Sequence, residues 1–182
     1  SGDGYSGGTE VYSCINKLLY DKIPETDVRK GWWVDSSLKS PLLEHVTWNG
    51  VSGDAVAGLA IDNVKMEFLP YTNVKFGMNT VGGTLNDDDW PFMRVEEMIL
   101  IRIEGLAKSG SPAQAKAMLE DFVRTYRDPA YSADASGRSL EDEIWFQRRV
   151  ELWGEGFSNN DTRRLNKPLV RFHDGAESNV PA

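Results

Sequence analysis

The chain has 182 residues, 40% of them apolar, with six Trp, six Tyr and seven Phe, and that length suffices for one domain burying roughly 70% of its unfolded surface. Its formal charge of -8 at pH 7 disfavours extended contact with nucleic-acid phosphates or anionic lipid, both of which need clustered Lys and Arg. Cys14 is the single cysteine, which excludes a disulfide framework and thiolate metal sites, and no apolar run approaches the ~20 residues of a membrane-spanning helix.

The first stretch, "SGDGYSG", repeats the spacing of a nucleotide-binding loop at Gly2, Gly4 and Gly7. No strand precedes it and no βαβ unit follows, so it reads as a flexible end. Helical periodicity is sustained only briefly, around Glu10 to Tyr20. From there to Asn86 the chain is rich in Gly, Asn and Asp, and its apolar residues come in short bursts. Within this part "VKMEFLP" alternates Val64, Met66 and Phe68 with Lys65 and Glu67, which predicts a short strand. "NVKFG", after Pro70, supplies a second extended piece.

From Asp89 the pattern turns helical. "DDDWPFMRVEEMILIRIEGLAKSG" offers Asp89 or a neighbour as N-cap, Pro91 in the first turn and Gly110 as a stop. Val95, Met98, Ile99, Ile103 and Leu106 make its apolar stripe. The next helix, in "SPAQAKAMLEDFVRTYRDP", opens with Ser111 and Gln114 at capping-box spacing and Pro112 at the first helical position, and it ends before Pro129. A linker of two or three residues forces these helices into an antiparallel hairpin. Gly105, Ala107, Ala113, Ala115 and Ala117 are small residues of the kind that let tetratricopeptide-type hairpins stack. A third helix begins near Ser139 and runs to Gly154 or Gly156, and a short fourth begins at Asn159 or Asn160.

The expected fold is mainly α: tetratricopeptide-like helical hairpins with a loop-rich, partly extended subregion. The expected division is residues 1–86, loop-rich with short strands, and residues 87–182, helical.

The third helix ends in "RRVELWGEG", where Arg148, Glu151 and Glu155 fall at three- and four-residue spacing. With Arg149, Asp161 and Arg164 they are expected to form ion pairs tying the third helix to the fourth. A glycosidase-type pair, Glu151 with Glu155, is the competing chemistry. Neighbouring arginines argue against it, because they lower the pKa that a general acid needs raised. "NDDDW" could place oxygens on a Ca²⁺, but helix capping accounts for it with less. His45 and His173 have neither ligand spacing nor a nucleophile partner. No catalytic residue, metal or cofactor is expected.

Two blocks resemble the SusD/RagB family of outer-membrane nutrient-binding lipoproteins. One is "DDDWPFMRVEEMILIRIEGLAKSG". The other is "RRVELWGEGFSNNDTRR", similar to the pattern Arg-Arg-x-Glu-Leu, Glu-Gly, Asp-x-x-Arg at Arg148, Arg149, Glu151, Leu152, Glu155, Gly156, Asp161 and Arg164. "ETDVRKGWW" and "NVKFG" are similar more weakly. Ser158 departs from the pattern, standing where the family usually has Arg. The resemblance implies the C-terminal part of a longer protein, cell-surface and outer-membrane placement through a lipid anchor absent from this chain, capture of an oligosaccharide or similar nutrient, and a SusC-like TonB-dependent transporter as partner.

Sugar rings carry apolar C–H patches that stack on flat aromatic faces. Trp32, Trp33, Trp48 and Tyr71, with Asn49 and Asp54 as polar company, are therefore the expected ligand platform. The competing account is that these rings fill a loop core. Trp145 and Trp153, on a helix, are expected to pack. The function expected is glycan capture without cleavage. The alternatives are a helical protein–protein interaction scaffold and a carboxylate-dependent glycoside hydrolase.

Overall fold

The computed structural model describes residues 13–43, 47–48, 51–52, 70–75, 92–173 and 176–178, with side chains over 13–42, 70–75 and 92–170. The chain divides into two units. One comprises Ser1–Pro24 and Lys30–Trp90, the other Glu25–Arg29 and Pro91–Ala182. A short early segment, Glu25–Arg29, is grouped with the helical residues.

In the first unit, helix α1 is a single turn, Lys17–Tyr20, with the Asn16 side chain accepting from the Leu18 N–H. The longer helix expected from Glu10 does not form across the described part of that stretch, because Ser13 to Ile15 is spent on backbone pairing. Ile15 N–H donates to Tyr71 O, and Asn73 N–H donates to Ser13 O. On its other edge the 71–74 segment meets residues 32–34, through Val34 N–H to Thr72 O and Val74 N–H to Trp32 O. The 71–74 segment, which holds the first two residues of "NVKFG", is thus the middle piece of a three-segment ribbon. Its core is Ile15, Leu19, Ile23, Trp33, Val34 and Val74, all buried. A minimal hairpin pairs β1, Thr47–Trp48, with β2, Val51–Ser52. Val64, Met66 and Phe68 lie outside the described residues.

The second unit is built on α2 (Val95–Lys108), α3 (Pro112–Tyr126), α4 (Leu140–Glu151) and α5 (Phe157–Arg164). After them β3 (Arg171–His173) pairs antiparallel with β4 (Ala176–Ser178). The mainly helical architecture is the one expected. Helix α2 begins later than its Asp89 and Pro91 signals imply, with Arg94 as an N-cap in extended conformation. The turn to α3 uses Gly110 at φ 87°, a left-handed conformation that costs glycine little. Pro112 then opens α3 at its first position.

The core joins Leu100 and Ile103 of α2 to Ala115, Leu119, Phe122 and Val123 of α3, with Ile144 and Leu152 from α4 and its C-terminal cap. Of the stripe expected on α2, Ile103 is enclosed and Ile99 and Leu106 pack on the core, while Val95 is 67% exposed and Met98 41%, and Leu100, not in the stripe, is enclosed. Of the small residues, Ala115 is enclosed and Ala107 partly so, while Gly105, Ala113 and Ala117 face solvent. A Cβ on Gly105 would meet nothing within 4 Å, so close helix contact depends on Ala115.

Ser139 caps α4, its hydroxyl accepting from the Asp142 N–H. Glu141, Asp142 and Glu143 sit at the positive end of the helix dipole. Helix α4 stops at Glu151, earlier than Gly154 or Gly156. Those glycines adopt φ 80° and 86° in the turn that follows, and Gly156 is the N-cap of α5.

Candidate functional site

The helical unit contains a buried polar network that begins at Glu151. This carboxylate is fully enclosed and is shared by three arginines. Arg127 donates from Nε and Nη2 at 2.9 Å each, Arg29 from Nη1 at 3.3 Å, and Arg94 from Nη2. Arg29, itself enclosed, also donates from Nη2 to Asp27 Oδ2 and to Gln147 Oε1, both at 2.6 Å. Gln147 passes the chain on, its Nε2 donating to Glu143 Oε1 at 2.9 Å. Glu143 further accepts from the Tyr131 hydroxyl, the Ser136 hydroxyl and the Arg138 guanidinium.

A second branch leaves α4 on another side. Arg148 donates from Nε to Asp161 Oδ2 at 2.8 Å, and Arg164 donates from Nε to Asp161 Oδ1 at 2.8 Å and from Nη2 to Glu104 Oε2 at 2.6 Å. This branch ties α4 to α5, as expected, and ties α5 to α2 as well. The expected single ladder of Arg148, Glu151 and Glu155 is corrected: Glu151 turns to Arg29, Arg94 and Arg127, Glu155 pairs with Arg94 at 3.2 Å, and Arg149 lies 4.7 Å from the Trp145 ring.

These contacts settle protonation. Burial alone pushes the Glu151 carboxyl up, but hydrogen bonds from Arg127 and the charges of Arg29, Arg127 and Arg94 outweigh it, and the net shift is down. Glu143 behaves likewise, with burial opposed by Gln147, Arg138, Ser136 and Tyr131. The Arg164 hydrogen bond holds Glu104 at about 2 against the upward push of burial, helped by Lys108. Enclosure and three arginine partners hold Glu151 toward its ionised form, which argues against the role of general acid in a Glu151 and Glu155 pair.

The expected ligand residues separate. Trp33 is completely enclosed, so its indole offers no face to a sugar; its place in the core is the correction to that part of the platform. Trp32, adjacent in sequence, is half-buried. The two rings touch, with centroids 6.1 Å apart and planes at 56°. The Lys75 ammonium stands 4.6 Å over the Trp32 ring. Tyr71, also half-buried, sits at φ 68°, an uncommon backbone state for a bulky residue. Its ring rests on Tyr20 with centroids 5.0 Å apart, and Tyr20 carries the Lys30 ammonium at 5.1 Å.

The 32–34 and 71–74 pairing thus gathers Trp32, Lys75 and Tyr71 on one ribbon, with Tyr20 against Tyr71 and Lys30 over Tyr20; of these five, Lys75, Lys30 and Tyr20 are not marked in the sequence. The Trp48 backbone lies in β1, but its side chain is outside those described, as is that of His173. Asn49, Asp54, His45, Trp90, Gly2, Gly4, Gly7 and the "NDDD" carboxylates lie outside the described residues. Trp145 and Trp153 are half-buried on the helical unit. Among the described residues, no group of three or more His, Cys, Asp and Glu side chains is placed to hold a metal ion. No described helix is long and apolar enough to cross a membrane.

The comparisons with known proteins agree with this architecture. No curated protein matches the chain. A solved structure, the 1.70 Å crystal structure of a SusD-like carbohydrate binding protein from Bacteroides vulgatus ATCC 8482, is 23% identical, with a TM-score of 0.55 over 90% of this chain. The chain spans 32% of that protein's length. The model of the SusD family matches residues 46–178, which include α2 to α5 and Glu151 with its partners Arg94 and Arg127, and the chain belongs to that family.

Proposed function

We propose that the chain is part of a cell-surface protein that captures an oligosaccharide or similar nutrient and does not cleave it. The observation that carries this reading is the half-buried Trp32, braced by the enclosed Trp33 and accompanied by Lys75 and Tyr71 on the same ribbon. An indole held in one orientation loses little entropy when a sugar stacks on it. Hydroxyls at the ring edge find a donor in Lys75 and a donor or acceptor in Tyr71. Trp48 belongs to the proposed ligand set, and Trp33 serves it from below as support. Family membership and the likeness to a SusD-like carbohydrate binding protein favour this reading. Binding without turnover is supported by the sealed, ionised state of Glu151.

A protein partner is also part of the proposal. Phe92 is 98% exposed, and Met93 and Val95, close to it in sequence, are exposed as well, a short run of apolar side chains of the sort found at docking faces. The partner expected from the family is a SusC-like TonB-dependent transporter at the outer membrane, where a lipid anchor would hold the protein. The same run favours the alternative of a helical interaction scaffold without a small ligand.

The experiment is calorimetry against a panel of soluble oligosaccharides, with Trp emission followed in parallel and product release assayed. Saturable heat that disappears in Trp32→Ala, with no new reducing ends, is the expected result. Heat unchanged by Trp32→Ala, or silence across the panel, would leave the scaffold alternative in possession.

A further inference from the structure

A small, partly enclosed cleft lies in the helical unit, against the last turn of α2, the first half of α4 and the residues after α5. Ala107, Ile144 and Leu165 form its apolar wall, together with the indole of Trp145. Around that wall stand the carboxylates of Glu104 and Glu141 and the ammonium groups of Lys108 and Lys167. The Trp145 Nε1–H is buried and has no hydrogen-bond acceptor among the described residues. A donor withdrawn from water without a partner is a free-energy cost that an incoming acceptor oxygen removes.

We propose that this cleft binds a single neutral pyranose ring, at a site that does not depend on the Trp32 and Tyr71 surface. The chemistry follows from the lining. Its two carboxylates and two ammonium groups cancel in formal charge, so neither an anion nor a cation gains much from the field. A sugar hydroxyl both donates and accepts, and it serves either kind of group: it donates to Glu141 or Glu104 and accepts from Lys108, Lys167 or the Trp145 N–H. The C–H face of the ring meets Ile144, Leu165 and the indole.

The lining is also held in place before a ligand arrives. Glu104 is clasped by Arg164 at 2.6 Å and by Lys108 at 2.7 Å. Lys167 is paired with Asp142. The Arg149 guanidinium lies 4.7 Å from the Trp145 ring and the Lys167 ammonium 5.6 Å from it. Little side-chain freedom remains to be lost on binding.

The test is an NMR titration of the ¹⁵N-labelled chain with methyl glucoside, methyl galactoside and methyl mannoside, with methyl glucuronide as the charged control. The indole N–H resonance of Trp145 is identified by its loss in Trp145→Phe. At least one neutral glycoside is expected to shift that resonance saturably and more strongly than the glucuronide. Glu141→Gln, at an exposed position that leaves folding alone, should weaken the shift by about threefold or more. Trp32→Ala should leave it unchanged, which separates this cleft from the proposed ligand surface. A Trp145 resonance that ignores every neutral glycoside overturns the proposal. So does a shift that Glu141→Gln leaves intact, or one that the glucuronide produces best.

Discussion

The two units achieve burial by different means. In the helical unit the interior includes enclosed charges: Arg29, Glu143, Glu151, Arg148 and Asp161 are each at most 4% exposed, and each is paired. In the first unit the ribbon of 13–15, 71–74 and 32–34 is joined by main-chain hydrogen bonds, and its core is filled by Trp33 and aliphatic side chains. Paired buried charges have low tolerance, because losing one partner strands the other in a poor solvent for ions. Main-chain pairing is indifferent to the outward side chain. A ribbon of that kind can change its exposed rings while keeping its frame, whereas the charged helices present nearly the same internal surface whatever the ligand.

The sharpest way to break this contrast is Glu151→Ala, which leaves Arg29, Arg94 and Arg127 around an empty site. Urea unfolding should register a loss of about 3–5 kcal/mol in the helical unit. A cost under ~1 kcal/mol would mean that water screens the cluster and that the contrast is false. Trp33→Ala should cost the first unit roughly 3–5 kcal/mol as a cavity, read most clearly as lost hydrogen-exchange protection at Val34 and Val74.

Acid sharpens the comparison. Glu104, Glu143 and Glu151 have folded pKa values below their ordinary 4.5, so their contribution to stability is complete above the unfolded value. It is lost as pH falls through the folded values, about 2 for Glu104. The helical unit should therefore weaken between roughly pH 5 and pH 2, measured as a falling urea midpoint, with the ribbon of the first unit less affected. The smallest expected change is at Lys75→Ala: under ~1 kcal/mol in stability, the range of an exposed cation–π contact, but a clear loss of affinity for the oligosaccharide that Trp32 binds.

Helical elements were legible in the sequence because their signals are local. Ser139, Pro112 and Gly110 act within one turn, and they place the starts of α3 and α4 and the stop of α2 well. The start of α2 was misplaced because acidic and proline signals at 87–91 precede a cap that Arg94 makes without a side-chain hydrogen bond. The stripe on α2 missed Leu100 because "VEEMILIRI" is apolar at Ile99, Leu100, Ile101 and Ile103, and packing against α3 and α4 decides which of these turn inward. For the charged motif the sequence reading found the residues but not the partners. Arg29 and Arg127 lie 122 and 24 positions from Glu151, and nothing local connects them. Trp32 and Trp33 are indistinguishable in sequence; Trp32 ends the short 3-10 helix Val28–Trp32, whereas Trp33 is the residue that pairs with Asn73.

The long reach of Arg29 bears on the order of events during synthesis. Arg29 leaves the ribosome 122 residues ahead of Glu151, and the α2–α3 hairpin, with its short turn, closes first on grounds of loop entropy. Until α4 is made, the Asp27 and Arg29 pair has to wait in water. The Glu25–Arg29 segment is then the last seal on the helical core, and pulse-labelled hydrogen exchange should find the Arg29 amide protected after those of Leu119 and Val123.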